Sequence, residues 1–475
     1  MAHDDAADLP ASAGRPKVAL PQPSDVARPW LRDWPVGVPT RFDLPDVVVD
    51  RLLTDAARDF PSVVALERGA DHWTYDELNE VVDRLADDLE ARGVVPGMFV
   101  LVVLPTTPAL TAVAFAVWRI GAVLVLADAD DWDHAAAAYV GTDPDLVIAA
   151  PDVAANVGFS RERTLVIDAP AWRHAPHPRS RRGRRDRRRA SIDPPETIPP
   201  VPASLRREHR NWGAPRTGMR DEVAAVLWSN AVGGQERAVL LTHGNLIAAA
   251  LQVRLWLPDL RAGHERVLVT IPPSHPFGLS GALLASVLQA STQVFVDEAD
   301  VLAAVADGGC TFFPALPRHV DRIVSDGTTV ASLRTCLVAG RLDDRVAAAS
   351  SEVFGATELL AGLALPETAG LVTADPPPPP GEASSARGGQ IGRPLPDTVA
   401  LTIDPATGAP ATRPGSPGWL AVAGPQVSPG YLGGGGSTDV HVGDWLVTRH
   451  VVTEEDGTFT LVASPGDRHT DKDAR

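Results

Sequence analysis

Short, mostly aliphatic runs recur along this chain at helix-length intervals, and that alternation restricts the fold more than any other feature. The runs lie at 99–104 (FVLVVL), 122–126, 146–149, 164–167, 223–227, 267–271, 294–296 and 333–338. A strand that is apolar on both sides must be covered on both faces, and helical crossovers supply the cover. The expectation is therefore an α/β fold of two largely parallel sheet layers. A helix start is legible at Thr74, where Glu77 three residues later makes a capping box. Leu78, Val81, Val82, Leu85 and Leu89 keep one apolar face behind it, and Gly93 is placed to end the helix.

After about Gly388 the pattern changes to short strands with Pro and Gly turns, at 418–432 and 445–462, which reads as a smaller antiparallel β-subdomain. The expected division is a flexible leader over 1–33, an α/β core over 34–385, a β-subdomain over 386–467 and a tail over 468–475. The segment 374–385, with five consecutive prolines, reads as a linker. Inside the core, 171–219 is a polar insertion with eight arginines between 179 and 189. No aromatics interleave them, so base stacking is not supported, and a solvated surface loop is the expectation.

Charge and cysteine content narrow the function classes. A formal net charge of -17 disfavours general binding to nucleic acid. The longest apolar stretch, 110–127, is interrupted by Arg119 and Gly121, so no membrane span of ~20 apolar residues is expected. The acidic amino terminus lacks the apolar core of a signal peptide. Cys310 and Cys336 lie in apolar runs, as suits buried, reduced thiols in a cytoplasmic protein.

The chemistry concentrates at 228–246, WSNAVGGQERAVLLTHGNL. An apolar strand, a glycine-bearing turn and a basic residue ahead of a helix can surround an anion with backbone N–H groups. This layout resembles the phosphate loop of AMP-forming acyl-CoA synthetases, the adenylate-forming family. Further segments resemble the family in order: WTYDEL (73–78), IPPSHPFGLSG (271–281), CTFFPALP (310–317), SLRTCLVAG (332–340), GLALPETAG (362–370), GGQIGRPLPD (388–397) and GWLAVAGPQVSPGYLG (418–433).

The resemblance implies formation of an acyl adenylate from a carboxylic acid and ATP with Mg²⁺, followed by transfer to CoA. It implies Glu367 as the metal-binding and catalytic carboxylate. It places Ser229, Gly233, Gly234, Arg237, Gly340, Arg341, Thr368 and His450 at the nucleotide, and His275 and Gly278 beside the acyl pocket. Several positions depart from the family pattern. Glu236-Arg237-Ala238 stands for Pro-Lys-Gly, Leu363 for an aromatic near adenine, and Pro366 for a threonine at the AMP phosphate. Arg449-His450 stands for a Gly-Asp whose carboxylate accepts both ribose hydroxyls, and Ser464 for a hinge arginine. An imidazole cannot supply two carboxylate acceptors, and proline supplies neither N–H nor hydroxyl. The family's small carboxy-terminal domain, with its catalytic lysine, would begin where this sequence stops at Arg475, so the large domain alone is expected.

Three readings follow. One is a catalytically degenerate synthetase kept as a binding or partner subunit, engaging an acyl group, a related synthetase or a carrier protein. Another is an active acid–CoA ligase, of fatty acid metabolism or aryl acids, completed by a domain in trans. The remaining one is a regulatory module working through the arginine-rich loop.

Overall fold

A computed structural model describes residues 19–130, 132, 139, 142–155, 158–168, 219–230, 236–307, 309–379, 386–433 and 440–465. The arginine block and the glycines of the phosphate loop, Gly233 and Gly234, lie outside them.

Two sheets carry the fold. The first contains β3 (Phe99–Leu104), β4 (Val123–Asp128), β5 (Leu146–Ala149), β6 (Thr164–Val166), β7 (Val223–Asn230), β8 (Glu236–Thr242) and the two-residue β18 (Gly430–Tyr431). Its order is β18-β8-β7-β4-β3-β5-β6. From β7 to β6 the strands run parallel, whereas β7–β8 and β8–β18 are antiparallel. β3 is buried along all six residues.

The second sheet starts parallel and ends antiparallel. β1 (Val64–Arg68), β9 (Arg266–Val269), β10 (Thr292–Phe295), β11 (Phe312–Ala315), β12 (Thr335–Ala339) and β13 (Glu358–Leu365) pair in parallel, and β2 (Asp71–Thr74) flanks them. β14 (Gly370–Ala374) then turns back on β13. β15 (Gln390–Pro394) joins β14 to β21 (Thr458–Ala463), and β20 (Trp445–Glu455), β17 (Gly418–Ala423) and β16 (Val399–Ile403) follow, with β19 (His441–Val442) beside β20. The antiparallel strands expected as a subdomain thus continue the parallel sheet by backbone hydrogen bonds.

Helices α1 (Asp50–Asp59), α2 (Tyr75–Ala91), α3 (Pro108–Arg119) and α4 (His243–Trp256) supply much of the largest core, together with residues from both sheets such as Leu66 and Leu104. α2 starts where its capping box predicts: Thr74 Oγ1 accepts from Glu77 N, and Glu77 Oε2 accepts from Thr74 N. Apart from the terminal Arg119, α3 is buried throughout, which explains why 110–127 reads as a continuous apolar stretch. Among the described residues no helix is long and apolar enough to cross a membrane. Cys310 and Cys336 are buried free thiols, and burial pushes the Cys310 thiol up to about 11.

The leader departs from expectation. From Ala19 onward it is described, and it packs against the antiparallel end of the second sheet, with Trp30 only 2% exposed. Trp445 Nε1 donates to Pro21 O at 2.8 Å, and Arg393 Nη1 donates to the carbonyls of Trp30 and Asp33. Buried aromatic area and satisfied carbonyls hold the segment, although its own sequence shows no periodicity. Residues 1–18 of the expected leader lie outside the described residues.

Candidate functional site

The strands on either side of the segment read as a phosphate loop pair antiparallel. β7 and β8 pair from Val223–Thr242 outward to Asn230–Glu236, and Ser229 lies opposite Arg237 across the two strands. The first helical residue after β8 is His243, and Thr242 caps the helix: its Oγ1 accepts from Asn245 N, and Asn245 Oδ1 accepts from Thr242 N. Asn245 Nδ2 also donates to the carbonyls of Pro425 and Val427, each at 2.9 Å. That contact holds the segment leading into β18 against the start of the helix.

β18 in turn sets Tyr431 beside Val239 of β8. The Tyr431 hydroxyl donates to Glu367 Oε1 at 3.1 Å, and the Arg237 guanidinium lies over the Tyr431 ring, 5.5 Å from its centre. Burial pushes the Tyr431 phenol above its ordinary range, with the Glu367 carboxylate adding to the effect and Arg237 opposing it. Glu367 sits in a 3-10 turn, Pro366–Thr368, and its carbonyl accepts from Ser428 N. Fold and sequence separation hide this contact from a sequence reading, because Tyr431 and Glu367 are 64 positions apart. The sequence signal for Tyr431 is modest: one aromatic in a Pro-Gly-Tyr turn.

The other expected nucleotide residues divide. Thr368 is buried, with its hydroxyl within 3.1 and 2.8 Å of the carbonyls of Leu365 and Gly370. Its hydroxyl closes the turn after Glu367, the position at which the resemblance implies a nucleotide contact. Gly340 ends β12 with φ 135°, where a Cβ would meet Pro317 at 2.8 Å, so glycine is required there by space and conformation. Arg341 is exposed, and its Nη1 donates to Val462 O of β21. His450 lies on a bulge of β20: the three residues between Val447 and Val451 face the single residue between Ala421 and Trp419. Arg449 in that bulge has φ 59°, and its guanidinium lies over the Trp419 ring at 5.2 Å.

Leu363, the position expected near adenine, is 5% exposed and packs with Leu365, Val372, Ile391 and Leu420 in the core of the antiparallel strands. His275 and Gly278 lie at the entry to a π-helical turn, Gly278–Leu284. His275 Nδ1 accepts from Phe277 N, and a Cβ on Gly278 would meet Pro272 O at 2.1 Å. Burial, aided by Arg318, lowers the His275 pKa to about 4, so the ring is neutral at pH 7. His319, not singled out from sequence, is lowered to about 4 by burial, with Arg318, Arg322 and His275 contributing.

A match to the AMP-binding enzyme family spans residues 53–432. The chain belongs to that family. It is 24% identical over 458 residues to a long-chain-fatty-acid–CoA ligase of Bacillus subtilis (strain 168), covering 91% of this chain and 80% of that protein. It is 28% identical over 430 residues to a feruloyl-CoA synthase of Amycolatopsis sp, covering 86% and 76%. The fold is similar to the crystal structure of the N-terminal domain of FACL13 from Mycobacterium tuberculosis, with TM-score 0.68, 16% identity, and coverage of 87% of this chain and 99% of that one. These matches make the chain a relative of acyl- and aryl-CoA ligases, a family that implies ATP, Mg²⁺ and CoA.

The residues present fit part of that ligand set. A magnesium ion held by one carboxylate together with substrate phosphates and water suits Glu367. At positions 363, 366 and 450 a core leucine, a proline without N–H and an imidazole stand where the resemblance implies stacking, phosphate and ribose contacts.

Proposed function

We propose that this chain is a binding member of the family, which engages a carboxylic acid, an acyl group, or a partner synthetase or carrier protein without forming an acyl adenylate by itself. One observation carries the reading. Arg237 and Glu367, the charged groups nearest in kind to the family's loop lysine and metal carboxylate, converge on one phenol, that of Tyr431. The substitutions at 363, 366 and 450 support it. A hydrogen bond to a charged group contributes ~1.5–3 kcal/mol, and removing one main transition-state stabiliser costs ~10² to 10³ in rate. Such losses do not add simply, yet ribose and phosphate contacts are both affected.

ATP–pyrophosphate exchange with a panel of fatty and aryl acids tests the reading. None is expected from the purified protein, and robust exchange with any acid overturns it. Nucleotide binding is the finer measurement, since ligand at 100 times its dissociation constant would stabilise the fold by ~2.7 kcal/mol. No thermal shift is expected with millimolar ATP–Mg²⁺. A clear shift that disappears in Glu367→Ala would establish a working nucleotide site.

A further inference from the structure

The second sheet presents the carboxyl ends of β9, β11, β12 and β13 side by side, in that order. Ligands of open α/β sheets sit outside the carboxyl ends of the strands. Glu367 follows β13, Gly340 follows β12, and the helix Pro317–Asp326 starts after β11. His275 follows β9 and stands in the turn that enters the π-helical segment. His275 N donates to Pro272 O to close that turn, and Gly278 leaves room for the same carbonyl. Pro317 packs where a Cβ on Gly340 would lie, so the helix start is seated against the end of β12.

The side chains at the β9 and β11 end are donors. His275 Nδ1 accepts from Phe277 N at 3.2 Å, so the neutral ring carries its proton on Nε2. That N–H has no hydrogen-bond partner among the described residues, and it keeps solvent-accessible surface. The Arg318 guanidinium acts on the same ring, and no carboxylate among the described residues does. His319 Nδ1 accepts from Leu316 N at 3.1 Å, and its ring stacks on Phe313 with centres 5.5 Å apart. His319 Nε2 faces Glu298 at 3.7 Å, and Arg322 lies 3.8 Å from the same carboxylate. Glu298 is thus engaged by His319 and Arg322, while the exposed Arg318 has no ion-pair partner among the described residues. An open N–H and a guanidinium, with the neighbouring carboxylate occupied elsewhere, complement an anion.

We infer that this end of the cleft recognises a carboxylate, so that the acid held here is a dicarboxylate whose far carboxylate is bound by His275 Nε2–H and Arg318. The inference rests on the reading that the cleft holds a carboxylic acid, and it names the class of acid. β11 and β9 lie two and three strands from β13, after which Glu367 stands. Adjacent strands are ~4.8 Å apart, so the two ends of the cleft are separated by about 10–14 Å. A linear nine-carbon dicarboxylate, with C–C bonds of ~1.5 Å, is about 10 Å long and spans the shorter interval. Arg237, over the Tyr431 ring beside Glu367, supplies the cation for the near carboxylate.

The test is a calorimetric titration of the full chain with azelate and with nonanoate, which has the same number of carbons and one carboxylate. Azelate is expected to bind about tenfold more tightly, as one additional charged hydrogen bond implies. Arg318→Gln and His275→Phe should each lower the azelate-to-nonanoate ratio several-fold, and the double variant should bring it to about one. A merely structural role would weaken both acids together and leave the ratio unmoved. Arg318 is exposed, so its variant keeps the test open if His275→Phe fails to fold. Equal binding of the two acids by the wild type, or an unchanged ratio in Arg318→Gln, overturns the inference and leaves the acid-binding reading in place. Binding of neither acid overturns the inference as well. Robust pyrophosphate exchange would overturn the reading of the chain as a binding member without touching the ratio.

Discussion

The helix start at 241–245 and the bulge at 448–450 are both family motifs, and this chain has treated them in opposite ways. At the helix start the sequence follows the family pattern, and the side chains of Thr242, His243 and Asn245 each have a structural task. Thr242 and Asn245 cap α4, His243 Nδ1 accepts from Val49 N at 3.0 Å, and Asn245 reaches the carbonyls of 425 and 427. At the bulge the side chains differ from the family pattern, with Arg449-His450 in place of Gly-Asp. Arg449 adopts φ 59°, a conformation that favours the glycine of the family pattern. Thr448 Oγ1 holds the bulge by donating to Leu420 O and accepting from His450 N. The difference teaches that a motif persists where backbone groups would otherwise be buried unpaired. At the bulge the Arg449 side chain has a task of its own, its guanidinium lying over the Trp419 ring.

Acid should strike the retained motif hardest. Burial holds the His243 pKa at about 4, and His319 and His275 are likewise lowered to about 4. Their unfolded value is near ~6.5. Neutral-ring stability is therefore complete above pH ~6.5 and lost as the pH falls towards 4, on the order of 3 kcal/mol for a fully buried ring. Asp375 works the other way. Burial raises its pKa to about 6, against donation from Ala361 N and Gln390, so its cost to stability lifts as the pH falls through 6. Three rings outweigh one carboxylate, and urea midpoints should drop between pH 7 and pH 4.5. A flat profile would mean that these rings are not buried as described.

Single substitutions sharpen the comparison further. His243→Ala leaves Val49 N unpaired beside a new void and should cost roughly 2–4 kcal/mol in urea unfolding. Thr242→Ala removes one half of the capping box and should cost about 1 kcal/mol. Arg449→Gly should change stability least, by under about 0.5 kcal/mol. Relief of left-handed strain, ~1–2 kcal/mol, is set against a lost cation–π contact of ~0.5–1 and the extra chain entropy of glycine. A large loss at Arg449 would show that the bulge depends on its side chain, and the contrast between the two motifs would fail.

Much of the fold is legible in the sequence because its signals are local. The buried strand 99–104 and the capping box at Thr74 fall where the sequence predicts them. The hairpin partner β8 is not legible, because Glu236 and Arg237 at its start read as the end of a turn. Within the site, motif order points to Glu367, Ser229 and Arg237. The same motif order assigns Thr368 to a ligand, whereas its hydroxyl serves its own turn. The local signal for Tyr431, one aromatic after Pro-Gly, does not reveal its partner Glu367, which is 64 positions away.

The sequence by itself determined the parallel α/β layers, the cap of α2 and membership of the AMP-binding enzyme family, since apolar period, capping chemistry and motif order are all properties of neighbouring residues. Tertiary structure alone decided that the leader packs from Leu20 onward, that Leu363 belongs to a core, and that Arg237 and Glu367 meet through Tyr431. Such contacts join positions as far apart as Pro21 and Trp445, separated by 424 residues. No local pattern encodes which distant carbonyl or ring will be close enough to satisfy a buried group.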